Sequence, residues 1–190
     1  MTGAWGAIVV AGGAGSRLGG VSKPDLELAG IALLDRALAA VAGARQVVLV
    51  GGPRREGVTW TVEDPPGSGP AAAIAAGMAA LGEAPAPWTA VLAVDTPRAA
   101  EALPALLAAR ERDGAWLVDA AGHAQHLLAV YRTAALAERC ARDLAGASVR
   151  SVVGGLDMVA VRDRDGLARD LDTWDDADYW DTYEWKERLP

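Results

Sequence analysis

Two cations, Arg17 and Lys23, lie at and just beyond a glycine-rich stretch near the start of the chain, AIVVAGGAGSRLGGVSKPD, residues 7–25. The apolar run from Ala7 to Val10, bounded by glycine, reads as a buried strand. Five glycines then fall within nine residues, from Gly12 to Gly20. Without Cβ atoms the backbone can curl, and successive N–H groups can converge into an anion-binding concavity. A strand, a glycine loop and two cations together predict a polyphosphate site. Two commoner phosphate motifs are excluded by single residues. A dinucleotide fingerprint would use Gly13 and Gly15 but needs a third glycine where Leu18 stands, and a P-loop built on Gly15 and Gly20 needs lysine where Val21 stands.

Three acidic stretches could face such a loop. Asp95 directly follows the apolar run Thr89–Val94. Thr96 can cap a following helix and Pro97 suits its first turn, which leaves the Asp95 carboxylate free. Magnesium takes a few hard oxygens together with substrate phosphates, so Asp95 is a candidate Mg²⁺ ligand; a plain capping role is the alternative. Asp170-Leu171-Asp172-Thr173 precedes a helix start, where capping and metal binding are equally compatible with the pattern. Glu63-Asp64, followed by Gly67-Ser68-Gly69-Pro70, places carboxylates that could accept hydrogen bonds from a base edge or a ribose diol. His123 and His126 read as strand-edge residues, and no Ser/His/Asp or Cys/His set supports covalent hydrolysis.

These residues need a scaffold that brings them to one place. Buried strands are predicted at Ala7–Val10, Gln46–Val50, Val58–Val62, Thr89–Val94, Ala115–Val118 and Leu127–Tyr131. Helices are predicted at Ile31–Val41, Ala71–Leu81, 100–112 and Thr133–Leu144. Strands alternating with helices of ten or more residues predict an α/β fold: a three-layer α/β/α sandwich around a mostly parallel, Rossmann-like sheet. Ligands of such sheets bind outside the carboxyl ends of the strands. The glycine loop, Gly51, Asp64 and Asp95 each follow a strand, so parallel strands would gather them on one edge. No linker or repeat divides residues 1–190, which predicts a single domain.

Bulk properties narrow the function. The net charge of −7 argues against nucleic acid as a partner, whereas a nucleotide needs only a local positive pocket. One cysteine, Cys140, excludes an intrachain disulfide and fits a reducing, cytoplasmic setting. No apolar stretch reaches membrane-spanning length.

The glycine stretch resembles the signature of small nucleotidyltransferases, most closely the molybdenum cofactor guanylyltransferases of the MobA type. Val10, Ala11, Gly12, Gly13, Arg17, Leu18, Gly19 and Lys23 match [LV]-A-G-G-x-x-x-R-[ML]-G-x-x-x-K in type and spacing. Val94-Asp95-Thr96-Pro97 resembles the family's [CV]-D-[MT]-P, and DLDTWDDA resembles D-[IL]-D-T-P-E-D, with Trp174 in place of proline. Glu63 to Pro70 resembles E-D-x-x-x-x-G-P-[LM]-x-G, with Ala71 and Ala73 departing from it. The resemblance implies a single nucleotidyltransferase domain, a sheet of the nucleotide-diphospho-sugar transferase type, and transfer of GMP from GTP to the phosphate of molybdopterin. It implies catalytic roles for Arg17, Lys23 and Asp95, and metal ligation by Asp95 and Asp172. Nucleotide contacts would come from Val10, Ala11, Gly12, Gly13, Gly15, Gly51, Asp64, Gly69 and Pro70 as well. Family members often carry Asn where this chain has Gly51, so a side-chain contact to the nucleotide is missing there. The acceptor is expected between the loop after Val118 and the C-terminal segment, with Arg132, Arg150 and Arg162 as candidate contacts. Transient contact with molybdoenzyme maturation proteins also follows from the resemblance. The alternatives are a cytidylyltransferase or a sugar- or alditol-phosphate nucleotidyltransferase on the same fold, and a non-catalytic nucleotide-binding relative.

Overall fold

A computed structural model of the chain describes residues 4–12 and 22–187, with side chains described as far as residue 180. Gly13, Gly15 and Arg17 therefore lie outside the described residues. Five strands pair in the order β5-β4-β1-β6-β8: β1 is Trp5–Val10, β4 Val47–Val50, β5 Thr59–Thr61, β6 Trp88–Ala93 and β8 Ala124–Arg132. The first four run parallel, with Ile8 opposite both Val48 and Val91. β8 runs antiparallel to β6, Leu92 facing Leu128 and Trp88 facing Arg132. β7 (Gly114–Val118) returns to β8 through a tight turn in which the Asp119 N–H donates to the His123 carbonyl at 3.0 Å. β9 (Met158–Arg162) pairs in parallel with β7. The result is a mixed, mostly parallel sheet of seven strands flanked by helices, as the alternating pattern predicts.

Burial on both faces explains why β1, β4 and β6 are continuous apolar runs. Side chains alternate across a strand. Ala7, Val9, Leu49, Ala90 and Leu92 accordingly enter one core, with α1 (Leu33–Ala40) and α3 (Ala99–Ala109) over it. Ile8, Val10, Val48, Val50 and Val91 enter the other, covered by α2 (Pro70–Ala80), α4 (Thr133–Cys140) and α5 (Val149–Val153). α2 lies close on the sheet because Gly77 has no side chain: a Cβ there would meet Ile8 Cγ2 at 2.6 Å. Gly77→Ala overpacks a core in which Ile8 is fully buried, and should cost about 1–3 kcal/mol in denaturant unfolding.

Several boundaries differ from the sequence reading. Ile31 and Ala32 do not begin a helix. They form β3, which pairs antiparallel with β2 (Glu27–Leu28), and α1 starts at Leu33. The two turn residues, Ala29 and Gly30, have φ of +50° and +77°, the backbone of a two-residue hairpin loop whose twist matches its strands. The helix expected over Thr133–Leu144 stops at Cys140. α5 and β9 follow it. The C-terminal acidic stretch is a long helix, α6 (Trp174–Glu187). Among the described residues no helix is long and apolar enough to cross a membrane.

Candidate active site

The parallel strands β5, β4, β1 and β6 deliver their carboxyl ends to one edge of the sheet. There a cleft of about 370 Å³ opens. Its floor is Val10, Ala11 and Gly12 from the end of β1, with Ala93, Val94 and Asp95 from the end of β6. The Val94 N–H donates to the Val10 carbonyl at 3.1 Å, so the two strand ends stay joined where the loops diverge. Gly69 and Pro70, at the start of α2, form a wall together with Glu63 and Gly67. Gly69 has φ of +98°, a conformation that glycine adopts without strain, and Pro70 fits the first helical turn behind it.

Lys23 enters the cleft from a single 3-10 turn, Lys23–Asp25, in which Pro24 is buried. Its Nζ donates to Asp95 Oδ2 at 3.0 Å and to Asp172 Oδ1 in close contact. The ammonium thus joins residues 72 and 149 positions away. Partial burial pulls its pKa down, but the hydrogen bonds and charges of Asp172 and Asp95 outweigh this and hold it above the ordinary lysine value.

The structure separates capping from the role left to Asp172. The α6 N-terminus is capped by Thr173 and Asp176. The Thr173 hydroxyl accepts from the Asp176 N–H at 3.2 Å, and the Asp176 carboxylate accepts from the Thr173 N–H at 3.0 Å and from its hydroxyl at 2.7 Å. This is a capping box, and the hydrogen bond from the Thr173 hydroxyl leads the causes that hold the Asp176 carboxyl below its usual pKa. The Asp172 side chain is left to meet Lys23. The Leu171 N–H donates to the Asp95 carbonyl at 2.8 Å, tying this segment to the end of β6. Thr173→Ala should cost about 1 kcal/mol of stability. Hydrogen exchange should speed up first in the opening turn of α6.

Gly51 lies just beyond β4 with φ of +72°, and a Cβ there would come within 2.9 Å of both the Cα and the N of Gly12. The backbones after β4 and β1 touch at this point, which leaves no room for a side chain there. Asp64 is exposed and does not line the cleft; its neighbour Glu63 is 6% exposed and does. The two acids lie in the loop beyond β5, where residue type alone does not tell which one turns inward. Ala73 from α2 also lines the cleft, and so does Leu127 from β8.

A second opening, of about 410 Å³, lies on the same edge between the β7–β8 turn and residues 163–170. Asp119, Gln125, Arg164, Arg169 and Asp170 line it. The Asp170 carboxyl is held above its usual pKa by partial burial and then by the charges of Asp172 and Asp95. Of the three arginines expected near an acceptor, Arg132 ends β8 on the opposite edge, beside the start of β6. Arg150 lies on α5, and Arg162 ends β9 without lining the opening. His126 packs edge-on against Trp116, with ring centroids 5.3 Å apart. Burial and the Arg150 charge lower its pKa.

Two carboxylate oxygens gathered on one ammonium form a pair that could hold a small cation in the same manner. Among the described residues no group of three or more His, Cys, Asp or Glu side chains converges for that purpose. The protein's contribution to a metal would therefore be Asp95 and Asp172, a number suited to Mg²⁺ shared with phosphate.

A mostly parallel sheet thus brings a glycine-bearing strand end, the Asp95 carboxylate and Lys23 to one edge. The chain belongs to the MobA-like NTP transferase domain family, whose model matches residues 7–160. It is 35% identical over 185 residues to the molybdenum cofactor guanylyltransferase of Acidiphilium cryptum (strain JF-5), covering 90% of this chain and 91% of that protein. Its fold is similar to that of molybdopterin-guanine dinucleotide biosynthesis protein A from Archaeoglobus fulgidus, with a TM-score of 0.71 at 21% identity over 95% of this chain and 99% of that one. It is similar also to 2-C-methyl-D-erythritol 4-phosphate cytidylyltransferase from Thermus thermophilus, with a TM-score of 0.65 at 18% identity over 94% and 98% of the two chains.

Proposed function

We propose that the chain transfers GMP from GTP to the terminal phosphate of molybdopterin and releases pyrophosphate. The observation that carries this reading is Lys23, held between Asp95 and Asp172 at the mouth of a cleft that begins with the strand end Val10-Ala11-Gly12. The 35%-identical guanylyltransferase relative supplies the choice of GTP and of molybdopterin.

In this reading the acceptor phosphate, already an anion, attacks the α-phosphorus of GTP, and the bond to the bridging oxygen of pyrophosphate breaks. No general base is needed, so catalysis consists of positioning and charge neutralisation. Lys23 moves from the carboxylates onto the departing phosphates; its flexible stem and compact charge suit that exchange. Asp95 and Asp172 would hold Mg²⁺, which neutralises phosphate charge when bound. Gly12 offers its backbone to the phosphates, while Gly69 and Pro70 flank the nucleoside. Arg17, Gly13 and Gly15 are assigned to the phosphate loop by motif. The acceptor occupies the second opening, where Arg164 is the arginine left to meet its phosphate, Arg169 being held by Asp176 and Tyr179.

The test is pyrophosphate release with GTP or CTP as donor and molybdopterin as acceptor, with and without Mg²⁺. Release that requires GTP, molybdopterin and Mg²⁺ together supports the reading. Preference for CTP would move the chain to the cytidylyl branch of the fold. Failure to bind either nucleotide would remove the enzyme reading.

A further inference from the structure

We infer that Lys23 is an internal counter-ion: it withholds the Asp95–Asp172 pair from a divalent cation until a polyphosphate draws the ammonium away, so that metal and polyphosphate bind with positive coupling. The inference rests on the nucleotide-transfer reading above and assigns an exchange of partners within that same cleft. The Lys23 Nζ donates to Asp95 Oδ2 at 3.0 Å and, in close contact, to Asp172 Oδ1. The Lys23 side chain is 19% exposed, against 26% for Asp95 and 36% for Asp172. The bridge is thus partly withdrawn from water, where charges are screened less than on an open surface.

The two acids are those assigned to Mg²⁺ above, and they cannot serve both cations at once. A divalent ion joining the pair would lie beside the ammonium, and like charges sharing one site repel. One cation must leave, and the backbone decides which group can move. The Leu171 N–H donates to the Asp95 carbonyl at 2.8 Å. The Asp172 N–H donates to Asp176 Oδ2 at 3.2 Å, within the α6 cap. The backbone of Lys23 is pinned as well: the Leu26 N–H donates to its carbonyl at 3.1 Å, and Pro24 beside it is buried. The aspartate side chains are too short to reach elsewhere from these positions. The lysine stem is long and flexible, so the ammonium is the partner that moves.

It has somewhere to go. Lys23 lines the same cleft as Val10, Ala11 and Gly12, so a polyphosphate entering there offers the ammonium a second set of oxygens. An ammonium that turns to the phosphates uncovers both carboxylates. Carboxylates that take a divalent cation release the ammonium to the phosphates. The two effects are one coupling seen from its two ends, and they must be equal in size.

The test offers each ligand alone to the full chain. Mn²⁺ binding without nucleotide is followed by the electron paramagnetic resonance of the free ion. Lys23→Met keeps the stem and removes the charge, and should bind Mn²⁺ at least about 10-fold more tightly than the unaltered protein, within the usual range of coupling between sites. Pyrophosphate binding is followed by calorimetry in chelator. Asp172→Asn leaves the Thr173–Asp176 cap in place and loosens the ammonium. It should bind pyrophosphate at least about 5-fold more tightly than the unaltered protein, and most of that gain should disappear when Lys23→Met is added. Equal Mn²⁺ affinity with and without the lysine overturns the inference. A pyrophosphate gain of the same size in both backgrounds also overturns it, since that pattern marks the aspartate charge acting alone. Should Lys23→Met fail to fold, the Asp172→Asn arm decides by itself, and no gain over the unaltered protein overturns the inference. A chain that binds GTP with Mg²⁺ yet fails either arm keeps the transferase reading. A chain that binds no nucleotide, with or without metal, loses that reading as well.

Discussion

Asp95→Asn is expected to lower GTP-dependent pyrophosphate release by at least about 10²-fold, the scale of losing one electrostatic contact at a reacting phosphate. The substitution removes charge and keeps shape. The strand end that carries Asp95 is held by backbone bonds, Val94 N–H to the Val10 carbonyl and Leu171 N–H to the Asp95 carbonyl, neither of which involves the side chain. The fold should survive, so the loss can be read as chemistry. A steady-state assay at saturating GTP, with a melting curve on the same sample, makes the check. A variant that melts as the unaltered protein does and turns over at a near-normal rate would remove Asp95 from the mechanism.

Lys23→Ala should be equally damaging to turnover, at least about 10²-fold, and should differ in what it does to the free protein. With the ammonium gone, Asp95 and Asp172 face each other without a cation. Like charges at that range are destabilising, and Asp172 anchors the start of α6. The variant should therefore melt below the unaltered protein in chelator and recover more than the unaltered protein does on addition of Mg²⁺. A pH series adds a second check. Lys23 has its pKa raised above 10.5 by its two partners. Its contribution to stability is therefore fully present below the ordinary lysine value and fades as pH rises through the folded one. The stability gap between variant and unaltered protein should hold at neutral pH and close in strong alkali. A gap unaffected by Mg²⁺ and alkali would show that Lys23 does not bridge the carboxylates in solution.

The three central strands could be read from the chain because burial on both faces leaves them almost wholly apolar, with Thr89 alone polar and bonded to Thr133. Once they were parallel, the edge carrying Gly12, Gly51 and Asp95 followed. What escaped depended on contacts that residue type does not announce. Ile31 continues the apolar period of α1, yet pairs with Leu28 instead; the turn between them uses Ala29 at positive φ, where glycine would have been the cue. Met158–Val161 is a four-residue apolar run that the sequence reading passed over, and β9 is only partly covered. At the site, DLDTWDDA fits both capping and ligation, and only the bonds of Thr173 and Asp176 show which residues do the capping. Glu63 and Asp64 are interchangeable in composition. Only burial separates them: Glu63 is the one in the cleft and Asp64 the one in solvent.

The reversed strand β8 has a consequence for how this protein could acquire new substrates. Everything contributed by β1, β4, β5 and β6 is encoded before residue 95, and the turn and strands beyond β8 are encoded after residue 110. Within the sheet the two stretches meet where β6 pairs with β8, and they share the core beneath α2, α4 and α5. Because β8 runs backwards, the turn that opens it arrives at the same edge as the nucleotide cleft, although the chain has left that edge by way of α3. The molecule is thus modular in inheritance as well as in layout. The loops of the second stretch can drift toward another acceptor while the strand ends of the first are kept, whereas Asp172, reaching back to Lys23, and Leu171, bonded to the Asp95 carbonyl, must change in step with them.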